Sequence, residues 1–277
     1  MNHPSAIGEL VRSWRSQRRL SQLALAADAD ISQKHLSFIE SGRSAPSRDM
    51  VLHLAEQMEI PLRDRNALLL AAGYAPVFQY RPLTDPSLVR ARTAIDLVLK
   101  AHEPYPAFTV DRHWTMISAN AGVAPLLSGV DPELIKPPVN VMRLSLHPRG
   151  LAPLTLNHAE WREHLLGRLQ RQFRLDRDPA THTLLTELSG YPVAKRKHGD
   201  GQSEGSPDEI AVPLRLRTHL GVLSFFSTIT VFGTPVEITL SELSMEAFYP
   251  LDAATASIMQ AAYRQGSAAA GGVNNTI

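Results

Sequence analysis

Four residue types at helical spacing stand out. Gln33, Lys34, Ser37 and Phe38 fall together on one side of a helix, while Leu36 and Ile39 fall on the other. An amide, an ammonium and a hydroxyl in that array are donors of the kind that meet base edges in a groove roughly 12 Å wide, and Phe38 would suit a thymine methyl. The plainer alternative is a solvated helix face, with Phe38 covering its own domain's core. A second group, Arg143 and His147, interrupts an apolar stretch formed by Val139, Val141, Met142, Leu144 and Leu146. A cation beside apolar space can hold a carboxylate. A surface arginine and a turn histidine before Pro148 are the alternative. The third group, His158, Glu160 and His164, invites a metal reading. Its histidines, six residues apart, sit about 120° from each other around a helix. Only Glu160 and His164 share a face, and a third ligand is missing, so no metal is expected. Cysteine is absent, which excludes thiolate sites, disulfides and a cysteine nucleophile. The sequence contains no Gly-rich phosphate loop, nucleophile elbow or zinc-protease motif, and its serines, histidines and aspartates define no triad. An enzyme is therefore not expected, nor a cofactor.

The elements that must position these groups begin with an apolar stripe at Ile7, Leu10, Val11 and Trp14. Ser21 and Ser32 stand where side chains cap a second and a third helix, and Gly42 stops the third. Pro46 and Ser47 open a fourth helix, carrying Met50, Val51, Leu54 and Met58. A fifth spans Pro61 to Ala72 and ends at Gly73. The segment from Tyr74 to Pro86 holds three prolines and reads as a linker. Asp85 and Pro86 then start a docking helix to about Ala101.

Beyond it the pattern changes. Phe108 to Ala119 reads as a hairpin with His113 near its turn, and Ile210–Arg217, Gly221–Phe232 and Val236–Ser241 read as strands of a half-buried antiparallel sheet. Asn157 to Phe173 carries Trp161, Leu165, Leu169 and Phe173 at four-residue steps, a helix whose Arg162, Arg168, Arg171 and Arg174 flank the stripe as a solvated or dimer-facing surface. Lys195–Glu209 and the tail from Gly266 read as loops. Helices laid across such a sheet leave an apolar space, with Phe108, Trp114, Leu146, Phe225, Phe226 and Ile229 as lining candidates or as ordinary core.

The 277 residues hold 28 Lys plus Arg against 27 Asp plus Glu, a net charge of +1, with 44% hydrophobic residues. A folded chain of two modest domains is expected. Any affinity for nucleic acid must come from local charge, such as the excess of two cations within residues 1–50. The start lacks a cationic leader before an apolar stretch and no apolar run is long enough to span a bilayer, so a cytoplasmic protein is expected.

The stretch LSQLALAADADISQKHLSFIESGRSAPS, Leu20 to Ser47, resembles the helix-turn-helix of the Xre/Cro/C1 repressor family. It carries Ser21-Gln22, Ala29, Ser32, Leu36, Glu40-Ser41-Gly42-Arg43 and Pro46-Ser47 in the family's places. Asp30 departs from the usual Gly at the turn, but Asp adopts the left-handed conformation at modest cost. The resemblance implies that Gln33 and Lys34 bond bases, that Ser37 and Phe38 sit deeper in the groove, that Gln22 and Arg43 hold phosphates, and that Glu40 pairs with Arg15.

The runs NALLLAAGYAPVF, YPAFTVDRHWTMISAN, NVMRLSLHPRGLAP, EWREHLL and LSFFSTITVFGTPVEITLSEL resemble the MmyB-type regulators. Those proteins join a helix-turn-helix to a PAS-like ligand-binding domain. The implied architecture is multidomain: an all-α five-helix domain (1–75), a linker and docking helix (76–104), an α+β PAS-like domain with an antiparallel sheet (105–264) and a disordered tail (265–277). The implied activity is that of a bacterial sequence-specific transcription regulator, a homodimer on a pseudo-palindromic operator of double-stranded DNA. Its effector is a small molecule, a fatty acid being one class, with Phe108, Trp114, Arg143, His147 and Phe226 as candidate contacts. The alternative left open is a C-terminal domain that serves dimerisation or protein interaction without a ligand.

Overall fold

Three serines start three helices. Ser21 Oγ accepts from Ala24 N at 3.0 Å, Ser32 Oγ from His35 N at 3.1 Å and Ser47 Oγ from Met50 N at 3.2 Å, each satisfying an amide that the first turn leaves unpaired. In the computed structural model, which describes residues 6–193, 212–232 and 237–271, they open α2 (Gln22–Asp28), α3 (Gln33–Glu40) and α4 (Arg48–Gln57). α1 (Ala6–Gln17) precedes them and α5 (Leu62–Ala71) follows. Asp30 takes the turn between α2 and α3 with φ +49°, and Gly42 ends α3 with φ +73°.

The chain divides into two compact units. In the first, residues up to Pro82 form a core of Ile7, Val11, Trp14, Leu25, Leu36, Ile39, Val51, Leu54, Met58, Leu68 and Leu69. The stripe read from α1 is therefore its buried face, with Leu10 half-covered.

The second unit is α+β. After a 3-10 turn at Pro86–Leu88 capped by Asp85 comes α6 (Val89–Ala101), which buries Ile95 and Leu99 while Leu97 and Val98 stay exposed. β1 (Ala107–Val110) and β2 (Met116–Ala119) make the expected hairpin, and α7 (Val141–Leu146), α8 (His158–Asp176) and α9 (Pro179–Ser189) follow. β3 (Leu214–Thr218) and β4 (Gly221–Val231) lead to a one-turn helix α10 (Ile238–Ser241), which belongs to the first unit, and then to β5 (Ser244–Pro250) and α11 (Ala253–Gly271). The sheet is antiparallel throughout, in the order β2-β1-β5-β4-β3.

Two expectations need correction. The strand expected at Val236–Ser241 is a helical turn from Ile238 on, in which Ser241 Oγ donates to Ile238 O at 2.7 Å, while Val236 lies outside the described residues. The fifth strand is β5, in the middle of the sheet. The tail reading placed at Gly266 meets a helix that continues to Gly271. The loop expected at Lys195–Glu209 lies outside the described residues. Among those described, no helix is long and apolar enough to cross a membrane.

Candidate functional site

In the first unit, α3 keeps Gln33, Lys34 and His35 exposed and turns Leu36 and Ile39 wholly inward, while Ser37 and Phe38 are half-buried. Phe38 is covered by cations: the Arg43 guanidinium lies 4.9 Å from its ring centroid and Lys34 Nζ 5.6 Å. Phe38 thus braces two charged side chains on the outer face instead of filling the core. Arg43 also donates from Nε to Ser41 Oγ at 3.1 Å.

The far end of α3 is fixed by an ion pair. Arg15 on α1 donates to Glu40 from Nε at 2.6 Å and from its second terminal nitrogen at 2.9 Å, and Gln22 Nε2 donates to Glu40 Oε2 at 2.8 Å. Glu40 is itself buried. Burial works to raise its carboxyl pKa, but the bonds from Arg15 and Gln22, with the charges of Arg15 and Arg12, outweigh it and hold the group below the ordinary carboxylate value. The Arg15–Glu40 pair implied by the resemblance is present. Gln22, expected at a phosphate, spends its amide nitrogen inside this network. Gly8 brings α1 against the same end of α3: a Cβ there would stand 2.6 Å from Ile39 O and 2.8 Å from Glu40 O.

In the second unit an apolar cavity of about 60 Å³ lies between the sheet and α7–α8. Phe108, Leu214 and Phe248 line it from the sheet, Met142 and Leu144 from α7, and Trp161 and Leu165 from α8. Of the five expected contacts, Phe108 alone lines it. Phe226 cannot, because its neighbour Phe225 takes the inward position on β4 and is fully buried, so Phe226 points to the other face and stacks on Tyr249 at 5.1 Å. Trp114 is buried beside the cavity, donating from its indole nitrogen to Gln172 Oε1 at 2.8 Å. Arg143 points away and grips Glu187 from Nε at 2.8 Å and from a terminal nitrogen at 2.7 Å. The Arg143 bonds, despite partial burial, keep the Glu187 carboxyl below its usual range. Glu187 also accepts from the Tyr191 hydroxyl at 2.5 Å, and burial with that bond pushes the Tyr191 phenol up to about 12. His147 sits edge-on to Tyr191 at 5.2 Å. Arg143, His147, Glu187 and Tyr191 form a cluster of their own.

The polar group at the cavity went unread in the sequence. Glu246 on β5 lines it, is 4% exposed, and pairs with Arg168 of α8 at 3.2 Å while accepting from Ser227 Oγ at 2.8 Å. Arg168, taken as part of a solvated flank, lies inward with its guanidinium 5.1 Å from the Trp114 ring centroid. The signal available was an acid inside the otherwise apolar run Leu243–Tyr249, broken only by Ser244. His164, one of the two residues weighed as a metal pair, stacks on Trp161 at 5.4 Å, and burial with the charges of Arg168 and Arg171 lowers its pKa.

Residues 91–262 match the family model for the MmyB-like transcription regulator ligand binding domain, and residues 8–74 match that of a helix-turn-helix domain. No curated protein matches the chain. Among solved structures, one described as an RNA-binding Light-Oxygen-Voltage receptor is similar at 11% identity with a TM-score of 0.26, over 95% of this chain. The chain spans 64% of that receptor.

Proposed function

The chain belongs to the MmyB-like transcription regulators, since that family's ligand-binding domain covers more than half of it, and we propose that it reads a specific operator through α3 under the control of a small apolar molecule. The observation that carries this reading is the outer face of α3. Gln33 and Lys34 are exposed on the first turn of a capped helix whose other end is locked by Arg15 and Glu40, an arrangement suited to entering a major groove. Gln33 and Lys34 bond base edges, Phe38 meets a thymine methyl, and Arg43 contacts phosphate. The protein acts in the cytoplasm as a two-fold dimer, so half-sites stand about one helical turn, roughly 34 Å, apart. Its effector enters the cavity beside Phe108.

Footprinting on DNA upstream of its own reading frame, with and without an organic extract of the cells, tests this. A protected pseudo-palindrome whose occupancy shifts with the extract is the expected result. Absence of any protected site refutes the operator reading. The small volume of the cavity favours a second reading, in which the C-terminal domain only dimerises; protection that no extract changes selects it.

A further inference from the structure

The cavity wall is apolar except for Ser145 and Glu246, and Glu246 is its one charged residue among those described. Ser145 Oγ accepts from the Trp161 indole nitrogen at 2.9 Å. Glu246 is built in deliberately. A buried carboxylate without partners is costly, and here it receives Arg168 from α8, the Ser227 hydroxyl from the neighbouring strand, and a place opposite Phe108 in the sheet register. Arg168 is in turn held against the Trp114 ring. Arg168 does not itself line the cavity, so the polar surface offered to an occupant is the acceptor half of the pair.

From this, and resting on the ligand-controlled reading above, we infer that the cavity selects an aliphatic molecule with an uncharged, hydrogen-bond-donating headgroup, an alcohol rather than a carboxylate. An alcohol can donate to Glu246, whose Oε2 receives one bond, at 3.2 Å from Arg168. A carboxylate brings a second negative charge to the same acceptor in a water-poor space, which disfavours it strongly. An alkylammonium gains little, because Arg168 already balances Glu246 and the ligand's own charge must be desolvated. A longer chain needs more room than about 60 Å³; Met116 and Met142 in the wall are flexible enough to give it by changing rotamer.

The test is calorimetric titration of the full chain with 1-octanol and with octanoate at neutral pH. Octanol is expected to bind at least about tenfold more tightly. An apolar pocket alone also disfavours a carboxylate, so the decisive arm is Glu246→Gln, in which octanoate should gain at least about tenfold relative to octanol. Because that variant leaves Arg168 unbalanced, the double variant Arg168→Met with Glu246→Gln is measured beside it and should show the same narrowing. Octanoate binding as well as octanol, or a preference unchanged in both variants, overturns the inference and leaves the ligand-controlled reading standing. Binding of neither probe overturns the inference, and the ligand-controlled reading is then decided by the footprinting with extract.

Discussion

Removing Arg15 should loosen α3 more than any surface change. The Arg15 side chain is 13% exposed and that of Glu40 only 1%, so Arg15→Ala takes two charge-assisted bonds from a carboxylate that water cannot reach. Breaking such a pair from one side costs about 3–5 kcal/mol. Gln22 remains bonded and Arg12, at 3.7 Å, remains near, which places the cost at the lower end, about 3 kcal/mol, or roughly a hundredfold in an opening equilibrium. The chain has two units, so a single melting curve does not report this quantity. Amide hydrogen exchange on the full chain does: protection at Leu36 and Ile39 should fall about a hundredfold while β4 and β5 keep theirs. Removing both charges together, as in Arg15→Met with Glu40→Leu, should recover much of the loss. The pH dependence has a fixed sign. The folded pKa of Glu40 lies below its ordinary 4.5, so the pair's contribution is complete above that value and is lost as pH falls through the folded one. The difference between wild type and Arg15→Ala is thus full at pH 7 and closes below about 4.5. Unchanged protection in Arg15→Ala, or a double variant no better than the single, refutes the reasoning.

Other expectations are more local. Gln33→Ala should weaken operator binding by about 1–3 kcal/mol in gel shifts and leave nonspecific binding nearly unchanged, whereas Arg43→Ala should weaken both. Gly8→Ala should lower α1 and α3 protection despite alanine's better helix propensity, because its methyl would stand 2.6 Å from a backbone oxygen that cannot move alone. Arg143→Ala should leave octanol binding unchanged, and its ion pair, with the Arg143 side chain 44% exposed, should contribute at most about 1 kcal/mol to stability. In an alkaline titration followed by phenolate absorbance, Tyr191→Phe should remove a transition near 12. The stability that tyrosine confers is present below the ordinary phenol range and is lost as pH rises through that value.

Much of the first unit was legible because its signals are local. Caps at Ser21, Ser32 and Ser47, the left-handed turn at Asp30 and the stop at Gly42 each act within a few residues. The cavity was not legible for the opposite reason. Glu246 breaks the apolar rhythm by which a central strand is recognised, and what makes it tolerable, Arg168, lies 78 residues away in sequence. The same distance problem misplaced Arg143: nothing near it announces Glu187, 44 residues on. Phe226 was a different failure. Two adjacent phenylalanines on a strand cannot face the same side, and only the pairing of Phe225 with Leu214 decides which one goes in.

Gly8 has a consequence for control. At Gly8, where α1 meets the end of α3, no side chain stands between the two backbones, so this end of α3 has little room to roll or slide, and the ion pair beside it pins its azimuth. If α3 reads bases as proposed, an effector is expected to leave its base preference unchanged. On the proposed reading it would govern how often α3 occupies its site on DNA, and a full set of single-base operator variants should keep the same rank order with the effector present as without it.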